Sequence, residues 1–295
     1  MILAVSITDM VHNAWPAALL ALGLSLMFAL ILLVASIKLR VVVDPKVDAV
    51  HKALPNIDCG ACGFAGCASY AKAVVANPEL LGKCAPGGSD TSNAIAEILN
   101  LQMSGGGAPM RPVIHCRACQ QDKTYFAKYD GIIGCTSANA QPNVQACAYG
   151  CLGYGGCVRR CKFDALHIID GLAVVDYEKC TGCGACAKGC PRNLIEMVPF
   201  THENMMVAAC SSKENGKNTR TFCKVGCIGC GMCAKQTELF TITDNLARMD
   251  YAHYEPSEAT QTAMDKCPTG NIVLRGKNAP EPRPAGEKPK PAAAK

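Results

Sequence analysis

Cysteine spacing constrains this chain more than any other feature. Cys180, Cys183, Cys186 and Cys190 follow the pattern C-x2-C-x2-C-x3-C, and Pro191 comes next. Three thiolates on one tight loop can each reach a different iron of a cubane cluster, and glycines let the backbone curl close around the inorganic core. The fourth cysteine, followed by proline, opens a new segment and ligates the other cluster of a pair. Zinc is the rival reading, but zinc sites use two separated C-x2-C pairs, which this run does not. The chain has 21 cysteines in 295 residues and only 5% aromatic residues. Large hydrophobic cores are therefore not expected, and metal binding must carry part of the folding. The spacings are not those of a disulfide framework, so the thiols read as ligands in a reducing compartment. The net charge of +5 is spread out, with no basic stripe interleaved with aromatics, and no nucleic-acid partner is expected.

The pairing rule predicts a partner motif upstream. Cys147, Cys151, Cys157 and Cys161 precede the run, but Tyr154 stands where the middle cysteine of the loop belongs. One cluster is thus expected on Cys161, Cys180, Cys183 and Cys186. The other has Cys151, Cys157 and Cys190, with Cys147 as the nearest fourth ligand. Between the motifs, Ala165 to Asp176 carries Asp170-Gly171 flanked by β-branched residues, which predicts a hairpin.

The chain then repeats itself. Cys147, Cys151, Tyr154 and Cys157 match Cys223, Cys227, Cys230 and Cys233, and Cys190-Pro191 matches Cys267-Pro268. In this second copy the crossing position is Thr237, and no cysteine lies between Tyr251 and Cys267. All four ligands of one cluster are gone, while Cys227, Cys230, Cys233 and Cys267 remain for its partner. Cys223 faces a loop that already has three cysteines, so it is expected to be dispensable there.

A different motif lies nearer the N-terminus. Cys59, Cys62, Cys67 and Cys84 form C-x2-C-x4-C-x16-C with glycines at 60, 63 and 66. That arrangement again suits a cubane, with zinc as the alternative. These are four [4Fe-4S] clusters. Cys116, Cys119, Cys135, Cys210 and Cys223 stay unassigned. A fifth cluster on Cys116, Cys119 and Cys135, completed by Cys147 or another cysteine, and plain buried thiols or zinc ligands are both open readings. His115, beside Cys116, reads as an ordinary surface or loop histidine.

Ala17 to Ile37 is an uncharged, mostly apolar run of 21 residues, long enough to cross a bilayer as a helix. Trp15, the only tryptophan, sits just before it, where an interfacial anchor belongs. Lys38, Arg40 and Lys46 follow it, and no Lys or Arg precedes it. The positive-inside rule then puts the cysteine-rich part in the cytosol, at the cytoplasmic (inner) membrane. A cleaved signal peptide needs a basic n-region and a shorter apolar core. A buried core helix would be apolar on one stripe only.

With the anchor, Leu54-Pro55 leading into Cys59-x2-Cys62-x4-Cys67, and the repeats that follow, the chain resembles the RnfB family, the B component of the Rnf electron-transport complex. The segments Tyr149–Gly153, Phe163–His167 and Lys224–Cys230 resemble its long form. The resemblance covers roughly residues 15 to 275. It implies an ion-pumping ferredoxin:NAD+ oxidoreductase in which this component accepts electrons from soluble reduced ferredoxin and passes them to partner membrane and cytosolic subunits. The stripped loop after Tyr251 departs from a loop that family members often keep.

The fold class expected is α+β: a single transmembrane helix, a small helical [4Fe-4S] domain and tandem bacterial-ferredoxin-like domains, the last degenerate. The expected boundaries are an anchor at 1–38, a [4Fe-4S] domain at 39–103, a linker at 104–110, a cysteine-rich first ferredoxin-like domain at 111–206, a second at 207–277 and a disordered tail at 278–295. No Gly-x-Gly-x-x-Gly opens a helix after a strand, and no Ser/His/Asp set has a nucleophile context. Hydride chemistry and ion movement therefore fall to partner subunits, and no catalytic residue is expected here. Two other classes compete: the iron–sulfur subunit of another membrane oxidoreductase or of a regulator-reducing complex, and a zinc-stabilised membrane scaffold. Colour separates the last, since zinc proteins are colourless.

Replacing Cys267 by Ala should abolish the cluster on Cys227, Cys230 and Cys233, despite the long sequence gap, and leave the Cys180 cluster intact. Iron content and EPR after reduction check this; an unchanged spectrum refutes the degenerate-repeat reading.

Overall fold

A computed structural model describes residues 7–39, 44–101 and 108–279. The chain divides into two compact units, Met1–Asp48 and Ala49–Lys295.

The first unit is dominated by helix α1, Ile7–Lys38. Its apolar stretch, Ala18–Lys38, has a mean hydropathy of 2.8 and none of it is buried. Leu20, Leu22, Leu26, Leu30 and Leu32, which point to all sides of the helix, are all exposed, so the helix is apolar all round rather than along one stripe. The helix begins ten residues before the Ala17 predicted from sequence. Backbone hydrogen bonding carries a helix through polar residues, whereas a bilayer crossing needs apolar ones. Trp15 is exposed, and Lys38 closes the last turn. Arg40 lies outside the described residues.

Helix α2 (Pro45–Ala53) runs across the boundary between the units. The second unit opens with a small helical module, in which Val50 and Leu54 and, from α3 (Cys67–Ala76) and α4 (Gly88–Leu99), Tyr70, Val74 and Ile95 are buried. The Tyr70 hydroxyl donates to the Leu80 carbonyl at 2.9 Å. Asn100 ends α4 in the left-handed region at φ 55°. Residues 102–107, most of the expected linker, lie outside the described residues, as does the tail from 280.

The remainder contains one strand pattern twice. Strand β1 (Met110–Ile114) pairs antiparallel with β4 (Ile195–Pro199), Met110 opposite Pro199. Between them in sequence lies the hairpin of β2 (Leu166–Ile169) and β3 (Leu172–Val175). Its turn is Asp170-Gly171, both at positive φ, as a two-residue hairpin requires. Strand β5 (Asn204–Ala208) likewise pairs with β8 (Ile272–Gly276), enclosing the hairpin of β6 (Phe240–Thr243) and β7 (Leu246–Met249). The hairpin predicted at 165–176 is present. Strand β5 straddles the boundary expected at 206, because its partner β8 fixes it within the second half. The helices are short: α5 (Cys135–Ala140), α6 (Ala185–Lys188), α7 (Gly216–Phe222) and α8 (Glu258–Asp265).

Each cysteine loop leans on its own hairpin turn. Gly153 in the first half has φ +78°, and a Cβ there would strike the Gly171 backbone; Gly229 in the second has φ +65°, and a Cβ would strike Asn245. The cysteine-free segment between Tyr251 and Cys267 holds α8. Ser257 caps it, accepting from the Thr260 amide at 3.3 Å, and Ala263 is fully buried. Few large side chains form the core: Met205, Met206, Phe240 and Leu246 in the second half, Ile114, Leu166 and Leu172 in the first, where Cys116, Cys119, Cys151, Cys157 and Cys186 pack among them.

Candidate iron–sulfur centres

No disulfide forms; all 21 cysteines are free. Among the described residues, no three His, Cys, Asp or Glu side chains close on a single point as the ligands of one ion would. The cysteines stand instead around cavities, which suits a group that takes one thiolate per iron.

Near the helical module, Cys84 faces Cys67, Cys59 and Cys62. The loop is pinned by Asp58, whose Oδ1 accepts the Cys67 amide at 2.6 Å. Lys162 Nζ ties the loop to the first strand pattern, donating to the Ile57 and Asp58 carbonyls at 3.3 and 3.2 Å. Burial, followed by the neighbouring thiols Cys67, Cys59 and Cys62, raises the Cys84 thiol pKa above its ordinary value.

Cys161, Cys180, Cys183 and Cys186 line one cavity together with Phe163, Ala165 and Leu166. This is the set predicted from the crossing-ligand rule. The Cys161 sulfur accepts the Ala165 amide at 3.4 Å. Gly182 and Gly184 both have positive φ, which is how three cysteines fit on one loop.

The adjoining cavity is lined by Cys135, Cys151, Cys157 and Cys190. The structure brings Cys135, not Cys147, to the place that Tyr154 vacates. Cys135 starts α5, and its sulfur accepts the Gly156 amide at 3.3 Å from within the loop itself. The Tyr154 ring turns outward against Tyr129, ring centres 5.3 Å apart. Cys147 opens a different cavity, where it stands with Cys116, Cys210 and Cys223. No sequence rule could have drawn Cys135 in: it sits 16 residues before Cys151, and only the fold of 116–147 returns it to the loop.

In the second half Cys233 faces Cys227 and Cys267, and Cys230 is exposed on the same loop. The Cys267 sulfur accepts the Asn271 amide at 3.2 Å. Cys119 is buried and belongs to none of these sets. It caps a short turn, its own amide donating to Asp122 Oδ2 at 2.9 Å. His115 is not a surface histidine. It is buried, with Nδ1 at 2.9 Å from the Ala208 carbonyl and Nε2 at 2.8 Å from Glu196 Oε2. The His115 hydrogen bond holds the Glu196 carboxyl below the ordinary carboxylate range.

Burial pushes the Cys157 and Cys186 thiols up to about 12, and Cys223 and Cys233 up to about 11. Neighbouring thiols add to each. Bare, these groups hold their protons at neutral pH; a metal that binds them releases those protons. The donor set is thiol throughout, softened by amide N–H groups aimed at sulfur, which is the chemistry an iron–sulfur cluster needs.

Two family models match. One, described as "Putative Fe-S cluster", covers residues 54–86; the other, "4Fe-4S binding domain", covers residues 173–196. Full-length similarity goes further. The B subunit of the Na(+)-translocating ferredoxin:NAD(+) oxidoreductase complex of Acetobacterium woodii is 35% identical over 251 residues, 84% of this chain and 74% of that one. The B subunit of the ion-translocating oxidoreductase complex of Methanosarcina acetivorans is 34% identical over 86% of this chain and 95% of its own length. The B subunit of the proton-translocating ferredoxin:NAD(+) oxidoreductase complex of Clostridium ljungdahlii is 39% identical over 84% and 88%.

Cys135→Ala should cost one cluster, about four iron atoms per chain, while Tyr154→Phe should cost none. Iron and sulfide analysis of the two variants separates Cys135 from Tyr154 as the occupant of the fourth position; retained iron in Cys135→Ala refutes the placement.

Proposed function

We propose a function on one premise: the chain belongs to the RnfB family of ion-translocating oxidoreductase complexes, whose members match it over most of their length. It is an iron–sulfur electron-transfer subunit of a membrane-associated, multi-subunit ferredoxin:NAD+ oxidoreductase, and α1 is its apolar membrane segment. One observation carries the finer reading. Two of the cysteine sets share one buried core: Cys151, Cys157 and Cys186 pack in the same cluster, with Cys161 and Cys190 against it, so an electron can hop between them.

We assign four [4Fe-4S] clusters to the sets Cys59/Cys62/Cys67/Cys84, Cys161/Cys180/Cys183/Cys186, Cys135/Cys151/Cys157/Cys190 and Cys227/Cys230/Cys233/Cys267, on tandem ferredoxin-like halves of which the second is degenerate. When bound, the clusters supply one-electron carriers. The chain's own groups hold and tune them. Buried thiolates exclude water, and the amides of Gly156, Ala165 and Asn271, each aimed at a cysteine sulfur, stabilise the added negative charge on reduction. Soluble reduced ferredoxin is the donor and the other Rnf subunits are the acceptors. The cysteine-rich unit lies in the cytosol, on the side where Lys38 and Lys46 stand.

The test mixes the anaerobically purified chain with reduced ferredoxin. Stoichiometric reoxidation of ferredoxin, with new EPR signals from the chain, is expected. A chain that holds its full iron yet takes up no electrons overturns the donor assignment. For sidedness, a reporter fused at the C-terminus should be active only as a cytosolic reporter; activity of a periplasm-only reporter reverses the orientation.

A further inference from the structure

Five cysteines lay outside every motif, and four cysteines now share a cavity that none of the four assigned sets uses. Cys116, Cys147, Cys210 and Cys223 line it together. They come from equivalent places in the two halves. Cys116 stands two residues after β1 and Cys210 two after β5. Cys147 precedes Cys151 by four residues, as Cys223 precedes Cys227. The hydrogen bonding repeats as well: the Cys151 amide donates to the Cys116 sulfur and the Cys227 amide to the Cys210 sulfur, each at 3.4 Å.

Two independent features point to a ligand here. Gln145 lines the cavity and is 5% exposed, yet neither its Oε1 nor its Nε2 has a hydrogen-bond partner among the described residues. Such an orphan in a core calls for a group not yet counted. The surroundings are also cationic. Arg117 and buried Lys123 line the cavity, and Arg192 Nη1 donates to the Cys147 and Gly150 carbonyls at 3.0 and 2.6 Å. Asp122, buried nearby, is the opposing charge. Net positive surroundings suit four thiolates around an anionic core.

We propose that Cys116, Cys147, Cys210 and Cys223 hold a fifth [4Fe-4S] cluster, shared by the two halves, that carries electrons from one to the other. The proposal rests on the electron-transfer reading above and deepens it. The degenerate half lacks its second cluster, so without a shared one the Cys227 set has no partner cluster of its own. With it, a ligand of each flanking set donates an amide hydrogen bond directly to a ligand of the shared set. The transfer is of a single electron, supplied by the reduced set of one half and accepted by the other, with no bond made or broken. Five sets of four take up 20 of the 21 cysteines, and the one left over is Cys119, already engaged as a turn cap.

Iron and sulfide counts on the full chain, purified anaerobically, decide the matter without any ferredoxin reaction, so failure here is distinct from failure of the functional reading. About 20 iron atoms per chain are expected for the unaltered protein, about 16 for Cys223→Ala and for Cys116→Ala, and no loss for Cys119→Ala. An unaltered chain with about 16 overturns the site whether or not the variants fold. So does a Cys119→Ala loss equal to that of Cys223→Ala. For the bridging role, sub-stoichiometric reductant should reduce the EPR-distinct clusters of both halves in the unaltered chain but of one half in Cys223→Ala. Equal equilibration in both proteins overturns the bridge.

Discussion

Thiolate coordination of an inorganic core is the interaction on which the rest of this structure depends. A cubane asks for four sulfurs at separate corners, each reached by a backbone free to curl. The chain meets that demand with loops rather than layers. Its sheets are pairs of two strands, its helices in the cysteine-rich part run to eight residues or fewer, and cysteines fill core positions that a larger domain would give to Leu or Phe. A domain with so little apolar mass gains folding energy from the metal it binds.

That demand also bears on the two places where the cysteine pattern is interrupted. A cysteine loop without its cluster would leave a hole beside buried strands. Helix α8 fills that place, with a side-chain cap at Ser257 and Ala263 at its buried face. At Tyr154, where the loop has no cysteine, Cys135 from another segment lines the cavity and the tyrosine ring lies against Tyr129.

The arrangement fits an electron-transfer subunit in physical terms. The Cys151 and Cys227 amides each donate to a cysteine sulfur outside their own loop, at Cys116 and Cys210, so the cysteine loops are held close together. Potentials can be set locally by amides and by cations such as buried Lys123 and half-buried Arg192, which hydrogen-bond to carbonyls rather than to carboxylates and so keep their charge available.

Short-range spacing was enough to read the anchor, the Cys180 run, the Cys59 motif and the hairpin at Asp170-Gly171. Each depends on residues within one or two turns of the chain, where periodicity and thiol spacing act directly. The recurrence of the strand pattern was legible for the same reason, since the second stretch keeps the spacing of the first and the paired strands recur around it. Spacing pointed to Cys147 for the vacant corner, as the nearest neighbour in sequence, whereas Cys135 lines that cavity and Cys147 another. Tertiary structure decided otherwise. Pairing of β1 with β4 and of β5 with β8 sets Cys116 and Cys210 at matching strand ends, and the excursion through α5 returns Cys135 to the vacant corner. Which thiols share a cavity is a matter of distance in space, and a chain that crosses between halves separates that from distance along the sequence.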